Sequence, residues 1–533
     1  MEIYRNFTLF LLLSFLKFAC SQDLLSCLSS GGVANVTTYC SPSYPQLLNT
    51  STKNLRFTRS NVSKPFTIIF PTNQSQVSTA IRCAREGSWT IRVRCGGHSY
   101  EGLSSTANTP FVIIDMTNLN RITVNLKSET AWVEGGATVG QIYYAIGKSS
   151  KKYGFSAGIC PTVGSGGHLS GGGYGALVRK YGLGADNVVD AILIDAAGRT
   201  LDRAAMGEEI FWAIRGGGGG SWGVIAAWKI RLLPVPKTVT ACRAMRVGTV
   251  SQAANLWYKW QMVAPKLEDE FFLSFVAVPR NDTIGIGQTF LGLFLGPRTK
   301  ALKNIGKAFP ELNFTTQECK EMTWVESVVY LWGAADVPTV DDLKNRSTFP
   351  KSFSKVKYDY VKVPIPLDVM NSIMDMVSKQ NKSSILLDPY GGAVNRIRSD
   401  AIAFPHRGNL YAIEYFIDWQ AVDDGNNDEY LEWIRRLYKF MEPYVSMGPR
   451  AVYVNNLDLD LGVIDWRVPG LSGPLAVELA RAWGQKYFLG NYERLVRAKT
   501  VVDPFNVFKN PQSIPPLTLA GIAGVESELD DVL

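Results

Sequence analysis

A histidine and a cysteine, each set among glycines, carry the chemistry that stands out in this chain. His98 lies in Arg94-Cys95-Gly96-Gly97-His98-Ser99-Tyr100-Glu101-Gly102, and Cys160 opens Cys160-Pro161-Thr162-Val163-Gly164-Ser165-Gly166-Gly167-His168. Glycine lets backbone N–H groups approach an anion closely and adopt positive φ, so such runs cradle pyrophosphates. A nucleophilic side chain inside each cradle is what a covalently tethered dinucleotide needs, which makes the chain a candidate flavoenzyme. Of the three histidines, His168 follows the second cradle, and His406, in Phe404-Pro405-His406-Arg407-Gly408, reads as structural. No grouping of His, Cys and carboxylates has metal-ligand spacing, so no metal site is expected.

These residues need a scaffold, and the pattern supplies an α+β one. From Pro65 to Pro236 short β-rich runs alternate with helical stretches: Thr67-Ile68-Ile69-Phe70, Thr90-Ile91-Arg92-Val93-Arg94, Phe111-Val112-Ile113-Ile114-Asp115, Ala131-Trp132-Val133-Glu134, Ala191 to Asp195 and Val224 to Ile230. No GxGxxG opens a helix with an acidic residue about twenty positions on, so a Rossmann site is not supported. Leu232-Leu233-Pro234-Val235-Pro236-Lys237 reads as a linker. Longer strands and amphipathic helices follow, the clearest being the strand Leu410 to Trp419. The expected division is a signal peptide over 1–21, a cofactor domain over 22–236, a substrate domain over 237–450, a C-terminal segment over 451–516 returning to the cofactor domain, and a tail over 517–533.

Composition fixes the compartment more than the chemistry. The net charge of +8 is spread along 533 residues without a Lys/Arg run, so neither nucleic acid nor a membrane surface is an expected partner. Arg5, the apolar run Phe7 to Leu16 and the small residues Ala19-Cys20-Ser21 read as a secretory signal peptide, and Lys17 argues against an anchoring span. Glycosylation sequons recur at Asn35, Asn49, Asn61, Asn73, Asn281, Asn313, Asn345 and Asn381. The expected location is the secretory pathway: an ER-derived vesicle, the vacuole or the exterior. Without Cys20 the cysteines are Cys27, Cys40, Cys83, Cys95, Cys160, Cys242 and Cys319, an odd set that leaves at least one unpaired. Cys160 is the expected odd thiol and Cys27–Cys83 the expected disulfide.

The glycine segments, together with Phe211-Trp212-Ala213-Ile214-Arg215-Gly216-Gly217-Gly218-Gly219-Gly220, Asp458-Leu459-Asp460-Leu461-Gly462 and Asn510-Pro511-Gln512-Ser513-Ile514-Pro515-Pro516, resemble the plant berberine bridge enzyme-like family over nearly the whole mature chain. The resemblance implies a vanillyl-alcohol-oxidase (PCMH-type) FAD-binding domain plus an antiparallel-sheet substrate domain. It implies FAD attached twice, His98 to the flavin 8α carbon and Cys160 to the 6 carbon, which fixes the ring and makes it a better hydride acceptor. By the same resemblance Arg94, Cys95, Gly96, Gly97 and Ser99 hold the pyrophosphate side. Thr162, Gly164, Gly166, Gly167 and His168 line the other, and Val224, Tyr453 and Asn455 complete the cofactor set. His168 would then be a donor near the flavin.

Strand alternation puts Ala412, Glu414 and Phe416 on one face and Tyr411, Ile413 and Tyr415 on the other. The residues alone leave Glu414 either at a rim or in a cavity. The resemblance favours a cavity, where a matching glutamate in the bridge-forming enzyme is general base on a phenol. A carboxylate there equally stabilises a developing iminium. Tyr100 would shape the pocket. Asn456 stands where the bridge-forming enzyme has histidine, and Ile159 where it has tryptophan. Asparagine does not titrate, so a proton relay for phenol deprotonation is lost while amine dehydrogenation is untouched. Val163 matches the family's oxygen-access position, where valine accompanies oxidase behaviour. The expectation is an oxidase that dehydrogenates benzylisoquinoline-derived alkaloids of the dihydrobenzophenanthridine or tetrahydroprotoberberine type, with O2 as acceptor and H2O2 as product. Reticuline oxidase (bridge formation) and a carbohydrate or monolignol oxidase are the alternatives.

Overall fold

β-branched runs too short to stand alone pair into three principal sheets in the computed structural model, which describes residues 23–280, 285–333, 339–347 and 350–517. The expected signal peptide, Asn281 and residues 518–533 lie outside the described residues. Strands β1 (Val36–Thr38), β2 (Thr67–Ile69), β3 (Thr90–Arg94) and β4 (Phe111–Asp115) form a sheet in the order β1-β2-β4-β3, with β2 and β3 both parallel to β4. A parallel neighbour needs a crossover. Helix Gln74–Glu86 supplies it between β2 and β3, opened by Asn73, whose side chain accepts from the Gln76 amide.

Next come β5 (Ile122–Asn125), β6 (Thr130–Glu134), β7 (Tyr153–Gly154), β8 (Val188–Ile194), β9 (Thr200–Leu201), β10 (Val224–Arg231) and β11 (Leu233–Pro234). Five of them make an antiparallel sheet in the order β5-β6-β10-β8-β9, while β7 pairs with β11. The stretch read as a linker is therefore a short strand, with Leu232, Leu233 and Val235 all buried. Proline suits it because an isolated edge pairing leaves few amides that must donate.

The third sheet is wholly antiparallel: β12 (Val239–Gly248), β13 (Phe271–Pro279), β14 (Ile286–Phe294), β15 (Cys319–Met322), β16 (Phe353–Val361), β17 (Ser383–Pro389) and β18 (Tyr411–Trp419), in the order β15-β12-β14-β13-β17-β18-β16. Its two faces differ. Phe275, Ile385, Leu387, Ile413 and Tyr415 pack under helices Val250–Val263, Leu367–Ser378 and Asn427–Met441. The opposite face presents Ser274, Leu386, Asp388 and Glu414 to a cavity shared with the first two sheets' loops. The alternation read in the strand from 410 to 419 is the one observed.

Two disulfides close covalent links. Cys27–Cys83 ties the N-terminal helix to helix Gln74–Glu86, as expected, and Cys242–Cys319 joins β12 to β15 at directly opposed positions. Cys40, Cys95 and Cys160 are free. The seven sequon asparagines among the described residues are all exposed, and no described helix is long and apolar enough to cross a membrane.

A buried ionic cluster joins three distant stretches. Lys355 bonds Glu101 from the loop after β3 and Asp458 from the C-terminal segment, the latter at 2.6 Å. Lys357, two residues along β16, bonds Asp458 at 2.6 Å and Asp460 at 2.8 Å. Burial alone would lower the Lys355 pKa, but Glu101, Asp458 and Asp460 reverse that and raise it. Removing one partner of a buried pair strands the other charge, so Lys355→Ala is expected to cost about 3–5 kcal/mol. The urea midpoint measures this: it falls with an unchanged slope, and an unmoved midpoint would refute the clamp.

Candidate active site

The two glycine cradles touch backbone to backbone. A Cβ added at Gly96 would stand 2.4 Å from the Gly164 amide nitrogen, and one at Gly164 would stand 2.2 Å from Cys95 Sγ. Gly97 takes φ +69° against the carbonyl of Ser51, a turn that a side chain would block. Gly167 differs: a Cβ there meets nothing within 4 Å, because the backbone faces the open cavity. This close approach of two loops around open space is the shape that a dinucleotide's phosphates require.

The cavity measures about 460 Å³. It brings together most of the residues singled out in the sequence. From the cradles come Cys95, Gly96, Gly97, His98, Ser99 and Tyr100, then Cys160, Val163, Gly164, Gly166, Gly167 and His168. From the large sheet and the C-terminal segment come Glu414, Tyr453, Asn455 and Asn456. Arg94, Thr162 and Val224 do not line it. Arg94 is fully buried, with its Nε on Asp115 Oδ2 at 2.6 Å and its other nitrogens on the carbonyls of Leu47 and Leu48. Val224 packs in the core with Ile194 and Ala226.

Thr162 lies one layer back and links the two nucleophiles. Its Oγ1 is 2.8 Å from His98 Nε2 and 3.6 Å from Cys160 Sγ. Burial first, then Lys53 and His168, depresses the His98 pKa to about 3, so the imidazole is neutral, with one ring nitrogen unprotonated. Burial pushes the Cys160 thiol up against the opposing hydrogen bonds from Thr162. His168, lowered to about 4 by burial, accepts the Gly158 amide at Nε2 over 3.0 Å, which assigns its proton to Nδ1. The C-terminal segment reaches this loop directly: Asn455 Nδ2 donates to the His168 carbonyl at 3.0 Å, and the Gly173 amide donates to the Tyr453 hydroxyl at 2.9 Å. A neutral imidazole and a thiol flanking an open glycine cradle fit a covalently held flavin dinucleotide.

Tyr100, from the first cradle, donates its hydroxyl to Glu414 Oε1 on β18 at 2.9 Å. Burial raises the Glu414 pKa, while the Tyr100 hydrogen bond and the neighbouring Asn456 amide hold it down. Asn456 Nδ2 is buried beside Glu414, the group whose carboxylate it helps to hold ionised. Tyr100 is pushed well above its usual range, first by burial and then by Glu414, so it remains a phenol. His406 is structural: it stacks on Tyr360 at 4.4 Å, and its Nε2 sits 2.8 Å from the Tyr487 carbonyl.

Sequence reasoning missed the second disulfide and the wall of the cavity built from β13, β14, β16 and β17, including Phe272, Ser274, Leu291, Tyr358 and Asp388. Ser383 to Pro389 alternates as a strand does, but nothing local says which strands flank it.

Comparison with known proteins agrees with this geometry. A family profile described as "FAD binding domain" matches residues 65–203, and one described as "Berberine and berberine like" matches 452–515. Berberine bridge enzyme-like D-1 of Nicotiana tabacum is 52% identical, covering 93% of this chain and 92% of the relative. Reticuline oxidase of Eschscholzia californica is 49% identical over 96% and 95%. Tetrahydroberberine oxidase of Berberis wilsoniae is 43% identical over 93% and 94%. A solved berberine bridge enzyme variant in complex with (S)-reticuline superposes with a TM-score of 0.90 at 49% identity, covering 93% of this chain and 99% of that one.

Because Tyr100 lowers the Glu414 pKa, Tyr100→Phe is expected to raise it further. Infrared titration of the protonated carboxyl band reads this directly. The band should persist to higher pH in the variant, and an unshifted titration would sever the link.

Proposed function

The chain belongs to the berberine bridge enzyme-like family of FAD-linked oxidoreductases, and from that premise we propose that it is a secretory-pathway oxidase of benzylisoquinoline-derived alkaloids. Its substrates are tertiary or secondary ring amines of the tetrahydroprotoberberine or dihydrobenzophenanthridine type. The observation that carries this reading is the Tyr100–Glu414 pair on the cavity wall, where the first cradle meets the carboxylate of the large sheet. Bound FAD supplies hydride acceptance from the substrate and electron delivery to O2, yielding H2O2.

The protein's own residues bind, orient and compensate charge. His98 and Cys160 attach the cofactor, and the amides of Cys95 to Tyr100 hold its pyrophosphate. Thr162 orients both nucleophiles through its hydroxyl. Glu414, fixed by Tyr100, presents negative charge where an iminium develops once a C–H beside nitrogen is lost. Asn456 offers a hydrogen bond and no titrating proton, which favours dehydrogenation over phenol-assisted ring closure. Val163 lines the cavity wall, and its resemblance to the family's oxygen-access position supports O2 as the acceptor.

Double attachment has a simple test. Wild-type protein denatured in acid is expected to keep its yellow colour, and so are His98→Ala and Cys160→Ala alone, each through the remaining bond. The double variant should release all flavin, and flavin lost from the wild type would exclude covalent attachment.

Substrate class is tested by anaerobic flavin bleaching, with product mass. A dihydrobenzophenanthridine should bleach the flavin and emerge as the aromatised cation, and a tetrahydroprotoberberine as its two-electron iminium, whereas sugars and coniferyl alcohol should not bleach it. Bleaching by (S)-reticuline with ring closure would instead establish bridge formation. Glu414→Gln separates the two chemistries. Cyclisation that needs the carboxylate as base should fall by about 10²–10⁴, whereas amine dehydrogenation should slow by less than about 10².

A further inference from the structure

One ionisable group on the cavity wall has no part in the reading above. Asp388 stands near the end of β17, whose alternation turns Leu386 and Asp388 into the cavity and sends Ile385 and Leu387 into the helix-covered core. Register sets Leu386 against Glu414 and Asp388 against Ala412. The two carboxylates therefore share one face on neighbouring strands, a diagonal step of roughly 7–8 Å apart. Asp388 has no ion pair or side-chain hydrogen bond with any described residue. The titratable groups facing it are Glu414 from β18, Tyr358 from β16 and Tyr174 from the glycine-rich segment, all acidic or neutral. Arg179, close to Tyr174, spends its donors on the carbonyls of Phe271, Pro265, Tyr390 and Leu267.

Asp388 is half-buried and faces the cavity, so a molecule filling the cavity strips water from a carboxylate that has no protein donor, and a cation brought against it offsets that cost. The substrate class proposed above brings one. The ring amine of a tetrahydroprotoberberine, bonded only to saturated carbons, is largely protonated in neutral solution, yet hydride leaves the adjacent carbon only when the nitrogen lone pair is free to form the C=N bond. Something must take the N–H proton first. Glu414 already accepts from Tyr100; Asp388 accepts from no described residue.

We propose that Asp388 is the acceptor for the substrate's ammonium: its carboxylate pairs with the incoming N–H⁺ and removes that proton before hydride loss. The N–H bond breaks with its electron pair staying on nitrogen, an O–H bond forms on Asp388, and the opposite charges cancel in one proton transfer with no change of oxidation state. This inference rests on the amine-oxidase reading. Burial, then Glu414, holds the Asp388 carboxyl up at about 7, the range in which it accepts and returns a proton near neutrality. The two carboxylates divide the work: Asp388 frees the lone pair and Glu414 faces the cation that follows. Sugars and monolignols, lacking an amine, would leave Asp388 unpaired and are disfavoured for that reason.

The test uses the full-length holoenzyme, wild type and Asp388→Asn, with matched flavin spectra as evidence of intact folding. The binding probe is the quaternary N-methyl salt of a tetrahydroprotoberberine, a permanent cation without an N–H, followed by flavin absorbance. Wild-type affinity should rise with pH through about 7 as Asp388 ionises. Asp388→Asn should bind the salt about 30-fold more weakly above that pH and lose this dependence, which assigns it to Asp388 rather than Glu414. Anaerobic flavin reduction by the parent tertiary amine should fall about 30-fold at neutral pH in the variant. It should recover as the pH approaches the amine's own pKa, a rescue that a merely structural role would not give. Binding within about twofold of wild type with the same pH profile would overturn the proposal. If the variant fails to assemble with flavin, a wild-type affinity that stays flat through this pH range overturns it equally. pH-dependent salt binding without bleaching by any amine supports the cation site and overturns the amine-oxidase reading instead.

Discussion

Two lysines on the edge strand β16 are where three remote stretches of chain are made to meet. Glu101, Asp458 and Asp460 converge on Lys355 and Lys357 in a cluster that is almost wholly buried. Each anchor sits next to a residue of the active site. Glu101 follows Tyr100, Asp458 lies two residues past Asn456, and Lys357 precedes Tyr358, which pairs with Glu414 in the register of β16 and β18. The cluster therefore fixes the relative positions of donor, amide and carboxylate without itself touching the cavity. Hydrophobic burial could bring the same segments together, but it is non-directional and would not fix their register. Charges stranded by a wrong register would cost several kcal/mol, so the cluster selects one arrangement.

The large sheet explains why polar groups can exist at depth here. One face is sealed by three amphipathic helices and filled with Trp257, Trp260, Phe275, Ile413 and their neighbours. That burial stabilises the sheet at roughly 25 cal/mol per Å² of apolar surface, whatever the other face carries. The cavity face can then hold Ser274, Asp388 and Glu414, none of which would be tolerated in a core packed on both sides. Function is concentrated on the face the fold does not need for its stability.

What could be read from the sequence follows the same division. His98, Cys160 and their glycines were legible because the chemistry and the backbone freedom it requires are local. Glu414 was legible as a face, since alternation has a fixed period, though only the pairing of β17 with β18 says what it looks out upon. Arg94 and Val224 are adjacent in sequence to site loops, yet strand geometry turns them inward. Arg94 pairs in register with Asp115 and is consumed there. The reading of Leu232 to Lys237 as a linker took prolines for a break, whereas the apolar residues between them are buried. Cys242–Cys319 and Asp388 depend on which strands become neighbours across long separations, and no local pattern encodes that.

The cavity is also polarised along its length, and this gives its two ends their separate tasks. The cradle residues 95–100 and 164–168 include no carboxylate, and their histidines are held neutral by burial. Backbone N–H dipoles dominate there, which suits an anionic pyrophosphate. The sheet wall holds two carboxylates with Tyr358 beside them and Tyr100 reaching over from the first cradle, which suits an aromatic cation. Reversing either preference would set like charges against each other at low dielectric, where repulsion is strongest. A molecule carrying a positive charge on an aromatic frame is thus drawn to the sheet end and excluded from the phosphate end. The orientation such a cation takes in the cavity follows from that field before any shape complementarity is invoked.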